Sequence, residues 1–136
     1  MLELRTERDP QAGSIDGLCI LIADDDIEMR RWLRALLERR GARIEEAASW
    51  WEVLYQLADH AFDLVITDVR MPMPNGVGVL SMARAAGIAT PFLVITAFAD
   101  PGLGAVIARS VDAALLDKPF DEDALLGHAR ELVNGV

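Results

Sequence analysis

Phe62-Asp63-Leu64-Val65-Ile66-Thr67-Asp68-Val69-Arg70-Met71-Pro72 is the stretch on which the fold turns. Leu64 to Ile66 form a short continuous apolar run, the pattern of a strand buried on both faces of a parallel sheet. Pro72 cannot donate to a ladder and drives Met71 into an extended conformation, so the strand ends before it. Asp68 therefore sits at a strand's carboxyl end, the edge beyond which open α/β sheets bind their ligands. Taken alone, such an aspartate does no more than cap a loop. The other strand ends change its meaning.

Upstream, Leu18-Cys19-Ile20-Leu21-Ile22-Ala23 predicts a buried strand stopping at Asp24-Asp25-Asp26. Asp26 is placed to cap a helix with Met29, Leu33, Leu36 and Leu37 on one face, closed by Gly41. Arg30, Arg31, Arg34 and Glu38 fall on the opposite face, and Trp32 flanks the stripe, where partial packing is expected. Ala42 to Glu46 alternates weakly and suits an edge strand. Ser49 caps a helix whose inward residues are expected to be Trp50, Val53, Leu54, Leu57 and Ala58, with Trp51 and Tyr55 packed beside them.

Downstream, Met71 to Gly76 reads as a loop from its prolines and Asn-Gly pair. Val77, Leu80, Met82, Ala83 and Ala86 suggest a helix closed by Gly87. Pro91 to Ile95 is another apolar strand, ending at Thr96. A short helix follows from about Leu103 to Arg109, weakened by Gly104. Ala113 to Leu116 is a fifth strand, running into Asp117-Lys118-Pro119-Phe120. Asp121 caps a last helix with Ala124, Leu125, His128, Leu132 and Val133 inward. Strands alternating with helices predict a doubly wound α/β fold with a parallel sheet and right-handed crossovers. Residues 1–16, charged and aperiodic, are expected to be a flexible tail before a single domain over 17–136.

The composition narrows the function. A chain of 136 residues, 52% hydrophobic and 26% charged, can bury one sizeable core. Its net charge of -9 argues against a nucleic-acid surface, which needs a basic face, and favours a basic or metal-bearing partner. No apolar run approaches a membrane span, and the charges from Glu3 to Asp9 leave no room for a secretory leader. The single Cys19, inside an apolar run, reads as a packed thiol in a reducing cytoplasm.

Asp24-Asp25, Asp68, Thr96 and Lys118 all fall at carboxyl ends of predicted strands, which share one rim in a doubly wound sheet. Clustered carboxylates repel one another unless a cation or proton intervenes, and a hard divalent ion, Mg²⁺, suits such a set. The contiguous aspartates lack the spaced ligands and glycine of an EF-hand calcium loop. With a compact lysine charge and a hydroxyl, these are parts for phosphoryl transfer.

The motifs Ala23-Asp24-Asp25-Asp26, Thr67-Asp68-Val69-Arg70-Met71-Pro72, Ile95-Thr96-Ala97 and Lys118-Pro119-Phe120, in that order, resemble the receiver domain of two-component response regulators, from about Leu18 onward. The resemblance implies a five-stranded parallel sheet in the flavodoxin-like order 2-1-3-4-5 with helices on both faces. It implies Asp68 as acceptor of a phosphoryl group from a histidine kinase or phosphotransfer protein, or from a small phosphodonor. By the same resemblance, Asp24, Asp25, Asp68 and the Arg70 carbonyl would hold Mg²⁺, while Thr96 and Lys118 would bind the phosphoryl group, commonly before a cis bond to Pro119. The domain would catalyse its own phosphorylation and dephosphorylation rather than turn over a substrate. It would switch a surface for a downstream protein or a phosphorylation-dependent homodimer. No DNA-binding or catalytic output domain is expected after the last helix.

Some positions depart from the pattern. Asn75 stands where an aspartate often precedes the glycine, and Leu115 where the family's switch usually carries an aromatic ring. By the same resemblance, Phe98 and Arg70 occupy positions where the family tunes the lifetime of its aspartyl phosphate. A haloacid-dehalogenase-like phosphatase remains an alternative, with Asp24 as nucleophile and Asp26 as acid-base, leaving Asp68 idle. A pseudo-receiver, a binding module without phosphorylation, is another.

Overall fold

The computed structural model describes residues 14–69, 76–97, 105, 107, 109–110 and 112–134, with 76–79 described by backbone alone. Five strands, β1 (Cys19–Ala23), β2 (Arg43–Ala47), β3 (Leu64–Asp68), β4 (Phe92–Thr96) and β5 (Ala113–Asp117), form one sheet. The helices are α1 (Ile27–Arg39), α2 (Trp50–Asp59), α3 (Gly76–Ala85) and α4 (Glu122–Asn134). Ala105, Ile107 and Arg109, from the short helix expected between β4 and β5, are also helical, while Leu103 and Gly104 lie outside the described residues. The sheet runs β2-β1-β3-β4-β5, all parallel, with β2 at one edge as the sequence predicts.

Every residue of β3 and β4 is buried, which is why they read as unbroken apolar runs. Alternate residues serve opposite faces. Ile20, Ile22, Leu64, Ile66, Leu93 and Ile95 join Leu33, Leu36 and Leu37 of α1 and Leu125, Leu126 and Ala129 of α4. Leu21, Val65, Phe92 and Val94 join Trp50, Val53 and Leu57 of α2, Leu80 and Ala83 of α3, and Ile107. Ile15, assigned to the tail by sequence, is 1% exposed and belongs to the first of these cores.

The helix starts follow their caps. Asp26 accepts from the Glu28 N–H, Ser49 from the Glu52 N–H and Asp121 from the Ala124 N–H. Arg40 pairs with Glu122 at 2.7 Å, joining the end of α1 to the start of α4.

Several expected core residues are corrected. Trp51 and Tyr55 are 56% and 76% exposed, because Trp50, Val53 and Leu57 already fill the buried stripe of α2, and Ala58 is exposed too. On α3, Met82 and Ala86 face outward while Leu80 and Ala83 pack. On α4 the buried line is Leu125, Leu126 and Ala129, rotated from the expected one, and His128 is only half-buried. The side chain of Val77, expected on the inner face of α3, lies outside the described set.

Two glycines with left-handed backbones separate conformation from space. Gly41 and Gly87 have φ of 91° and 81°. A Cβ on Gly41 would collide with the Asp16 carboxylate and lie 3.3 Å from its Cα, whereas one on Gly87 meets nothing within 4 Å. Gly87→Ala should cost about 1 kcal/mol for the backbone alone, and Gly41→Ala about 2 kcal/mol or more, since Asp16 must also move. Urea denaturation of both variants checks this; equal losses would refute the steric contribution.

Candidate functional site

The carboxyl ends of β1, β3, β4 and β5 lie on one rim, because all strands point the same way. Asp68 ends β3 and is 7% exposed. Beside it, Val69 donates to the Ile95 carbonyl at 3.0 Å, carrying the ladder past the strand end. Thr96, fully buried, ends β4 opposite Asp117. Its carbonyl accepts from the Lys118 N–H at 2.8 Å, which aims the lysine along the rim. Lys118 Nζ then lies 2.8 Å from Asp68 Oδ2, an ion pair between residues 50 positions apart. The Lys118–Pro119 peptide bond is cis.

Asp24 follows β1 and is 1% exposed. Its N–H donates to the Ala47 carbonyl at 3.1 Å, and its Oδ1 accepts from the Asp26 N–H at 2.8 Å. Asp24 Oδ2 is buried without a hydrogen-bond partner among the described residues. Burial above all pushes this carboxyl up to about 6; the negative charge of Asp68 adds to the shift, while the Asp26 N–H and Lys118 oppose it. Asp25 is exposed, in the bend between β1 and α1. Asp26, also exposed, is occupied as the α1 cap.

Asp24, Asp68, Thr96 and Lys118 are thus brought together, with Asp25 at the margin; Arg70, Asn75 and Phe98 lie outside the described residues. Among the described residues no three His, Cys, Asp or Glu side chains form a ready metal cage. Mg²⁺ does not require one, since it keeps several waters and takes one or two carboxylates. An orphaned, buried carboxylate oxygen on Asp24 next to Asp25 and Asp68 is a donor set that fits it.

Two features escaped the sequence. Arg30, assigned to the polar face of α1, donates from Nη1 to the Asp24 carbonyl at 2.6 Å and from Nε to Glu46 Oε1 at 2.9 Å. Its place one turn past the Asp26 cap is the available signal, because helical side chains lean back toward the N-terminus. A largely apolar cleft of about 540 Å³ also opens beside Lys118, lined by Met29, Trp32, Ala97, Lys118, Pro119 and Phe120. Trp32 and Phe120 meet across it in a tilted pair with centroids 5.8 Å apart.

Residues 20–130 match the response regulator receiver domain family. The chain belongs to that family. The transcriptional regulatory protein ZraR of Salmonella typhimurium is 37% identical over 128 residues, covering 88% of this chain and 28% of that protein. The response regulator receiver protein CpdR of Brucella abortus is 32% identical over 117 residues, covering 86% of this chain and 92% of that protein. This receiver therefore spans about a quarter of the ZraR proteins and nearly all of CpdR. Chemotaxis response regulator CheY4 of Vibrio cholerae shares the fold with TM-score 0.77 and 27% identity, over 85% of this chain and 98% of that one. A CheY-like receiver domain protein from Methanospirillum hungatei has TM-score 0.81 and 25% identity, over 88% and 96% of the two chains. Receiver membership replaces the phosphatase alternative, and the use of Asp26 as a helix cap agrees with that.

The raised carboxyl of Asp24 has a signed consequence for the metal-free protein. Its folded pKa of about 6 exceeds the unfolded value of 3.8. The stabilising contribution is therefore complete below pH 3.8 and is lost as pH rises through about 6. Asp24→Asn keeps the acceptor for Asp26 and cannot ionise. Unfolding in EDTA should show Asp24→Asn more stable than wild type at pH 8, by up to about 3 kcal/mol, with the gap closing near pH 4. A gap independent of pH would contradict the assignment.

Proposed function

We propose that this receiver domain accepts a phosphoryl group on Asp68 and thereby switches a partner-binding surface. The observation that carries the reading is the Lys118–Asp68 pair at 2.8 Å beside the buried Asp24. The donor is a phosphohistidine of a sensor histidine kinase or phosphotransfer protein, or a small phosphodonor. An Asp68 carboxylate oxygen attacks phosphorus as the P–N bond breaks, and the bonding electron pair leaves on the imidazole nitrogen. The product is an acyl phosphate. Lys118 Nζ passes from Asp68 to a phosphoryl oxygen, so the charge that holds the acceptor at rest neutralises the group that arrives. The Thr96 hydroxyl donates to a second phosphoryl oxygen. Asp24, Asp25, Asp68 and the Arg70 carbonyl would hold Mg²⁺, which supplies positive charge against the phosphoryl oxygens. Hydrolysis of the acyl phosphate by water resets the domain.

The downstream partner is a protein or a second phosphorylated copy of the domain. Among the described residues no helix is long and apolar enough to cross a membrane. A cytoplasmic setting suits the lone Cys19, whose thiol is held above its ordinary range chiefly by burial and so stays protonated.

Incubation with acetyl phosphate and Mg²⁺ should add one phosphoryl group by intact mass, stable in acid and labile in base. Asp68→Asn should remove it, since an amide is a far poorer nucleophile. Labelling of Asp68→Asn at the wild-type level would end the proposal.

The cleft beside Lys118 offers a protein donor apolar surface that a small donor does not need. Trp32→Ala should slow transfer from a phosphohistidine protein about tenfold or more, the loss of an aromatic anchor, and leave labelling by acetyl phosphate within about twofold. Equal slowing with both donors would show instead that Trp32 supports the site itself.

A further inference from the structure

We propose that Arg30 is a positioning residue for the acidic loop, holding Asp24 and Asp25 in the arrangement that binds Mg²⁺. The inference rests on the metal-assisted reading above. Asp24 is restrained on three sides. Its N–H is bonded to Ala47 of β2, its Oδ1 to the Asp26 N–H, and its carbonyl oxygen to Arg30 Nη1 at 2.6 Å. The third restraint fixes the peptide plane that leads directly into Asp25.

Arg30 is itself fixed. Its Nε is 2.9 Å from Glu46 Oε1, and the two side chains are only 15% and 26% exposed. Glu46 also accepts from Arg34 Nη1, and Arg34 Nε pairs with Glu38 at 3.0 Å. Arg34 first, then Arg30, holds the Glu46 carboxyl below its usual range, so it stays ionised. The chain Asp24–Arg30–Glu46–Arg34–Glu38 thus ties the rim to both the edge strand β2 and α1. A planar guanidinium can serve a carbonyl and a carboxylate at once, which a lysine ammonium matches poorly.

Charge and positioning predict opposite signs. As a nearby cation, Arg30 repels Mg²⁺, and deleting it should tighten binding. As a positioning residue, its loss should loosen the loop and weaken binding, and outer-shell partners of metal ligands typically contribute 10–100-fold. Titration calorimetry of the whole chain with MgCl₂ decides between them. Arg30→Ala should raise Kd about tenfold or more, Arg30→Gln should also raise it, and Glu46→Gln should raise it by less. Glu46→Gln added to Arg30→Ala should change Kd by under about twofold, because both act through one route. Amide resonances of Asp25 and Asp26 should shift or broaden in Arg30→Ala before metal is added. If Arg30→Ala does not fold, Arg30→Gln and Glu46→Gln carry the test. Unchanged or tighter binding in the folded variants would overturn the proposal while wild type still binds Mg²⁺. Failure of wild type to bind would instead sink the metal-assisted function beneath it.

Discussion

The organising constraint of this molecule is electrostatic: carboxylates are gathered at one end of a sheet whose interior cannot solvate them. Asp24 and Asp68 are both nearly buried, and Asp25 adjoins them. Ionised together without a cation, they would repel one another strongly. The protein answers in two ways at rest. Lys118 sits 2.8 Å from Asp68, and Asp24 holds its proton more tightly than an ordinary aspartic acid. In the proposed reaction the Lys118 pairing would yield to the phosphoryl group and the Asp24 proton to the divalent ion.

The fold exists around that rim. In the order β2-β1-β3-β4-β5, the direction of winding reverses between β1 and β3, opening a crevice outside their carboxyl ends. Asp24 and Asp68 flank this crevice, one after β1 and one at the end of β3. The interior of the sheet is apolar on both faces, aliphatic apart from rings such as Phe92 and Trp50 on one of them, so polar groups are confined to the strand ends. Precision at the rim comes from backbone geometry: the Thr96 carbonyl aims Lys118, and Val69 extends the ladder beside Asp68. Arg30 and Glu46 perform the same service for the acidic loop from α1 and β2.

Much of this was written plainly in the chain, and the reasons are physical. Strands buried on both faces must be apolar throughout, so Leu64–Ile66 and Phe92–Ile95 declared themselves, and the polar residue that ended each run marked the rim. Asp26, Ser49 and Asp121 announced helix starts because short polar side chains satisfy the free N–H groups there. The helix faces were less legible. Trp51 and Tyr55 look like core residues by hydrophobicity, yet Trp50 and Val53 had already claimed the inner stripe. A small rotation of α4 exchanged His128 for Leu126 and Ala129. Arg30 was illegible for a different reason: it works through a main-chain carbonyl, and no pattern of side chains records that. The Arg70 carbonyl, Asn75 and Phe98 lie outside the described residues, so their parts rest on resemblance alone.

The central claim is that Asp68, paired with Lys118, is the place where a phosphoryl group is received. The most direct measurement is a crystal structure of the chain with Mg²⁺ and beryllofluoride, a tetrahedral mimic of an acyl phosphate's phosphoryl group. The account predicts beryllium bonded to an Asp68 carboxylate oxygen, Lys118 Nζ turned to a fluoride, and Mg²⁺ against Asp24 and Asp25. Beryllofluoride on Asp24 instead, with the Lys118–Asp68 pair unbroken, would contradict it.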